Sequence, residues 1–260
     1  MIIPKESQKV VLEYLKNELL KITPSVKITE YIHNIDDIYE KRAILKECQW
    51  DYESFDYLLS IFTDTVGKRL RFRKKVDCFH ILRLAVKRNF IGAQFPEKIL
   101  DKLFYLFKEF IQTVPPPNCD IVSCLSIALK DQVLNDDNVN WLVQNVTKNE
   151  TILNRLLRYP TWNKIIEEWA IQSVDSDIIE GRESELYGIL IKNGIPDILK
   201  EKDNKQLAWG VYYSKAVNEI KEKLLLEIAG ETNYRSICEI SYRLNLPSVI
   251  RKMIEQIENS

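Results

Sequence analysis

Residues 96–114 read PEKILDKLFYLFKEFIQTV, and this stretch decides the fold class. Ile99, Leu103, Phe107, Phe110 and Val114 recur at three- and four-residue steps and form one helical stripe, which Leu100, Phe104 and Ile111 widen. An apolar arc that broad predicts a helix buried on two sides, sandwiched between neighbours. Pro115-Pro116-Pro117 stop it, because each proline lacks an N–H and disfavours helix in the residue before it.

The same period extends in both directions. Upstream, Val11, Leu15, Leu19 and Ile22 lie one turn apart, and Pro24 ends the run. Residues 36–47 carry Ile38, Ala43, Ile44 and Leu45 as one short helix. Asp51 offers an N-cap to a helix with Phe55, Leu58, Leu59 and Phe62 on one face, and Val76, Phe79, Leu82 and Val86 repeat the rule. Downstream the pattern predicts helices over 120–130, 138–147, 152–159, 162–171, 186–191 and 195–199. A long helix aligning Trp209, Tyr213, Ala216, Ile220 and Leu224 follows, then two more around Ile237 and Met253, split by Pro247.

Strand signals are poor: no Asn-Gly or Asp-Gly turn occurs, and no alternation of apolar and polar residues is sustained. Only 7 glycines and 9 prolines punctuate 260 residues, which suits helices joined by short polar links. The expectation is an all-α chain of about 12–14 helices, an irregular helical-repeat solenoid of antiparallel pairs. Candidate pairs begin near residues 36, 74, 120, 152 and 186, steps of about 32–46 that fall in the range of helical repeats. The chain is read as one repeat domain over 1–260, with a candidate sub-boundary at 115–118 between halves 1–114 and 119–260.

The apolar pairs in Ile152-Leu153-Asn154-Arg155-Leu156-Leu157 and Trp162-Asn163-Lys164-Ile165-Ile166-Glu167-Glu168-Trp169 carry a resemblance. Their helix-pair rhythm resembles the HEAT and armadillo class of α-solenoids, at the level of architecture. The resemblance implies a curved surface that binds partners, and a function without catalysis.

The strongest local signal is Lys68-Arg69-Leu70-Arg71-Phe72-Arg73-Lys74-Lys75, in which six of eight residues are basic. Arg83, Lys87 and Arg88 continue the charge, so residues 66–90 hold nine basic side chains against Asp77 alone. That segment carries +8 and leaves −9 for the remainder of a chain whose total is −1. A cluster of this kind at 68–88 grips an acidic protein partner or nucleic-acid phosphates, with Phe72 available to stack. The bland alternative is a solvated helix whose side chains pair with nearby acids.

Two further groups invite scrutiny. Seven acids lie between Glu167 and Glu185 with Arg182 alone opposing them, and helix-dipole capping accounts for much of that. Arg155, Arg158, Tyr159 and Trp162, with Glu168 and Trp169, are a candidate groove lining. Helical-repeat DNA glycosylases use similar residue types, but a pI near 6.2 and the core spacing of Trp162, Ile165, Ile166 and Trp169 favour packing.

Other chemistries find little support. Cys78 and His80 sit about 200° apart on a helix, and Cys119 and Cys124 match no zinc spacing, so neither metal nor cofactor is expected. Gly67-Lys68 lacks the rest of a phosphate loop. Five scattered cysteines read as free thiols in a reducing compartment, and Met1-Ile2-Ile3-Pro4-Lys5-Glu6 shows no secretory signal. A cytoplasmic, non-catalytic interaction module without a membrane span is the expectation, and nucleic-acid binding is the alternative.

Overall fold

A computed structural model of the chain describes residues 10, 24–66, 72–112, 119–148, 150–200, 202–229 and 234–258. The helix expected over 11–22, the prolines 115–117 and the cations Lys68, Arg69 and Arg71 lie outside the described residues. Among the described residues the chain is all-α, with 15 helices and no strand. No helix among them is long and apolar enough to cross a membrane. The helices group into two compact units, Met1–Asn138 and Val139–Ser260.

In the first unit α1 (Pro24–Tyr31), α2 (Ile35–Glu40) and α3 (Arg42–Leu45) precede four longer helices, α4 (Tyr52–Thr63), α5 (Phe72–Asn89), α6 (Glu97–Gln112) and α7 (Cys119–Ala128). α8 (Asp136–Asn145) contains the division between the units. As its arc requires, α6 packs on both α4 and α7, and Ile99, Leu103, Phe104, Phe107 and Phe110 are buried. Phe55, Phe90 and Phe95 pack with ring centroids 5.0–5.3 Å apart, and Phe62 stacks on Phe79 at 4.5 Å. Burying each such ring contributes about 1.5–3 kcal/mol.

Asp51 caps α4 as expected, accepting from Ser54 N at 2.8 Å in a capping box. Two starts differ from expectation. Pro24, expected as a stop, opens α1, because the first helical turn needs no N–H from its first residue. The helix expected over 36–47 divides into α2 and α3 at Lys41, and Asn34 caps α2 through the amides of Asp36 and Asp37.

The links themselves follow a rule. Leu45-x4-Trp50-Asp51, Phe90-x4-Phe95-Pro96, Leu129-x4-Leu134-Asn135 and Leu157-x4-Trp162-Asn163 each place an apolar residue at the end of one helix. A second apolar residue then stands just ahead of the residue that starts the next helix. All of these apolar residues are buried except Trp162, which is half-buried. In unit 1 successive links are joined through side-chain amides. The Trp50 N–H donates to Asn89 Oδ1 at 3.2 Å, and the Phe95 N–H donates to Gln132 Oε1 at 2.8 Å. Gln132 Nε2 also donates to the Ala93 carbonyl at 2.9 Å. Gln94 reciprocates, donating to the Asp131 carbonyl at 2.7 Å and accepting from the Val133 N–H at 3.1 Å.

The second unit contains α9 (Glu150–Arg158), α10 (Lys164–Gln172), α11 (Glu183–Lys192), α12 (Asn204–Tyr213), α13 (Asn218–Glu227), α14 (Tyr234–Arg243) and α15 (Pro247–Glu258). α11 and α12 meet at Gly188 and Gly210, where a Cβ on Gly210 would lie 2.7 Å from Tyr187 Cβ. This backbone contact leaves no room for a side chain. The long helix expected over 209–224 is broken at 214–217, where buried Ser214 turns extended and its hydroxyl donates to the Val211 carbonyl at 2.8 Å. The helix expected over 195–199 shrinks to a 3-10 turn, Asp197–Leu199. Gly194, at φ +80°, ends α11 in a Schellman turn, and the Ile195 N–H is spent on the Leu190 carbonyl.

Two substitutions test this packing. Gly210→Ala should gain helix propensity yet lose about 1–3 kcal/mol to overpacking, read as a lowered denaturation midpoint. Gln132→Ala should cost a similar amount, about 1–3 kcal/mol, because it leaves the buried Phe95 N–H without its acceptor.

Candidate anion-binding cleft

α5 buries Cys78, Phe79, Ile81, Leu82, Ala85 and Val86 on one side. Its helical period then places Asp77, His80, Arg83 and Lys87 along a flank one turn apart. The single turn of α3 packs on α5 and is pinned by buried Leu45, so Arg42 and Lys46 face that flank. The six side chains, with Leu84, line a cleft of about 340 Å³ within unit 1. Four cations and a histidine thus surround one carboxylate.

The α2–α3 segment is fixed against α5 at both ends by other members of the basic cluster. Near the start of α5, Lys74 pairs with Asp36 and lies 5.2 Å over the Tyr39 ring. The Asp36 carboxylate holds the Lys74 ammonium above its ordinary range. At the other end, Arg88 pairs with Glu47 at 3.3 Å and donates to the Lys46 carbonyl. Arg42 stacks 4.4 Å over Tyr39 and donates to the Tyr39 carbonyl at 2.7 Å, so its guanidinium is held in place.

Of the nine cations that the sequence singles out, the six described ones divide by task. Lys74 and Arg88 clamp the neighbouring helices, and Lys75 lies 6.0 Å from the Phe110 ring centroid. Arg83 and Lys87 enter the cleft, and Arg73 is exposed elsewhere on α5. Among the described residues none of the cleft cations Arg42, Lys46, Arg83 and Lys87 is ion-paired to a carboxylate. Elsewhere in the unit, Lys98 and Lys102 converge on Asp56. Burial alone would raise the Asp56 carboxyl, but these two lysines outweigh it and hold it below the usual range.

His80 Nδ1 lies 3.9 Å from Cys124 Sγ of α7. Burial pushes the Cys124 thiol up, against the pull of Arg83, so the sulfur stays protonated at neutral pH. Cys78 points elsewhere: its Sγ lies 3.6 Å from the Ile35 carbonyl, and burial pushes its thiol up to about 12. No group of three His, Cys, Asp or Glu among the described residues is placed to hold a metal ion. What the cleft offers is fixed donors and positive charge.

In the second unit Arg155 is 3% exposed, Tyr159 and Trp162 are half-buried, and Trp169 is buried. Arg158 lies 3.6 Å from Glu185, a carboxylate that Arg182 also holds at 2.7 Å. Of the acidic run, Asp175 pairs with Lys202 and Glu168 with Lys164, while Glu167, Asp177, Glu183 and Glu185 stand in first turns of helices.

Sequence reasoning missed Arg42 and Lys46. The available signal was their i,i+4 spacing, the same as Arg83 and Lys87, but nothing local says that the two pairs meet. No protein family, no curated protein and no solved structure matches the chain.

The unpartnered cations give a direct expectation. The double variant Arg83→Gln/Lys87→Gln should keep or slightly raise the thermal midpoint, because it relieves like-charge repulsion at i,i+4. Thermal denaturation at low and high salt checks this, and the gain should shrink with salt. Lys102→Gln should instead lower the midpoint, and its effect should fade as acid protonates Asp56, whose depressed carboxyl contributes stability only above its folded pKa.

Proposed function

We propose that this chain is a non-catalytic, HEAT-like helical-repeat interaction module that docks an acidic segment of a protein partner on the α3–α5 face of unit 1. The observation that carries the reading is the cleft itself. Four cations line it, none of them ion-paired to a carboxylate among the described residues, and two ion pairs hold its walls. Four cations around the single carboxylate of Asp77 repel one another, and a partner that supplies negative charge relieves that cost.

The repeat reading is supported by the four links that share one pattern, beginning at Leu45, Phe90, Leu129 and Leu157. It is supported also by amide bonds between links 39 and 37 residues apart. On this reading the helices stack as antiparallel pairs in a solenoid. The free Cys48, Cys78, Cys124 and Cys238 fit a reducing, cytoplasmic setting. An acidic peptide suits the cleft better than a nucleic-acid backbone, because the rest of the chain is net negative and would repel an extended phosphate polymer.

Fluorescence anisotropy with a labelled Asp/Glu-rich peptide and an equally long oligonucleotide, between about 50 and 200 mM salt, tests this. The peptide should bind, and Arg83→Glu/Lys87→Glu should weaken it about tenfold or more, mainly through faster dissociation and lost steering. Unchanged peptide affinity in that variant would remove the cleft from the mechanism. Tighter, steeply salt-dependent oligonucleotide binding would favour the nucleic-acid reading.

A further inference from the structure

The charge in the cleft exceeds what one carboxylate side chain can match. Arg42, Lys46, Arg83 and Lys87 supply four positive charges, and Asp77 is the only acid among the lining residues. A carboxylate brings one negative charge and two acceptor oxygens. A phosphomonoester brings about 1.5 to 2 negative charges and three strong acceptor oxygens at a single point. Two of the cations are guanidinium groups, whose planar fork matches phosphate oxygens in pairs. Arg42 is already oriented by the Tyr39 ring and carbonyl, and the Arg88–Glu47 pair steadies the turn that carries Lys46. His80, beside the Cys124 thiol, adds an imidazole to the lining.

We infer that the α3–α5 cleft is a receptor for a phosphorylated serine or threonine in the partner's segment, with Arg83, Lys87 and Lys46 closing on the phosphate and Arg42 presenting a pre-set guanidinium. The inference rests on the docking reading and narrows it: binding becomes dependent on modification of the partner.

The chain's two histidines give a direct readout, because His80 lines the cleft and His33 is exposed outside it. The imidazole NMR signals are followed during titration with phenyl phosphate, benzoate and inorganic phosphate. The titration is repeated with three peptides of one acidic sequence carrying serine, phosphoserine or glutamate at the centre, and with a single-stranded oligonucleotide. Phenyl phosphate should shift the His80 signals saturably, leave His33 unmoved, and bind about tenfold or more tighter than benzoate. The phosphoserine peptide should exceed its serine and glutamate counterparts by a similar factor. Arg83→Gln/Lys87→Gln, with unchanged circular dichroism, should abolish the shift.

Equal binding of the phosphoserine and glutamate peptides would overturn the phosphate assignment and leave acidic docking standing. Inorganic phosphate binding as tightly as the phosphopeptide would overturn the peptide source in favour of a free ion. An oligonucleotide that shifts His80 at lower concentration than the phosphopeptide would overturn it in favour of nucleic acid. Absence of any response to all probes would remove both this inference and the docking reading.

Discussion

The backbone N–H of Phe95 is buried in a link that belongs to no helix, and Gln132 supplies its acceptor from the next link along the chain. Much of the first unit depends on that arrangement. A buried N–H without a partner costs about 1–3 kcal/mol, so a link that carries an apolar residue into the core needs such an acceptor. Asn89 does the same for Trp50. Each amide joins a link to its successor, and so fixes where one helix ends relative to the next. The apolar residues on either side, Phe90 and Phe95 or Leu129 and Leu134, then fill the core beneath the link.

The position of α5 follows from this frame. Its end is tied through Asn89, its buried face packs on α7, and the residues left over form a flank of Asp77, His80, Arg83 and Lys87. Lys74–Asp36 and Arg88–Glu47 then hold α2 and α3 against that flank. Exposed ion pairs of this kind add little to stability. Their effect is geometric, since they hold the segment that carries Arg42 and Lys46 opposite Arg83 and Lys87.

Much of the fold was legible in the sequence because helical period and capping are local. The arc of α6 gave both its helix and its two-sided burial, and Asp51 gave the start of α4. What failed was equally specific. Proline both stops and opens helices, so Pro24 alone does not reveal α1. The break at Ser214 is set by a hydroxyl bond and by the close approach of α12 to α11, neither of which disturbs the apolar period. The link pattern has no fixed period, since its starts are 45, 39 and 28 residues apart. For the cleft, charge density singled out Arg83 and Lys87. Their partners Arg42 and Lys46 come from a segment of mixed charge about 40 residues earlier, and only folding brings the pairs together.

On the proposed reading the α3–α5 face, and no other part of the chain, receives an anionic partner. Hydrogen exchange with and without a saturating acidic or phosphorylated peptide tests it most directly. The account predicts added protection confined to residues 42–47 and 77–88, with the rest of the chain unchanged. Protection centred on Arg155, Arg158, Tyr159 and Trp162, or bound peptide with no protection on α3 and α5, would contradict it.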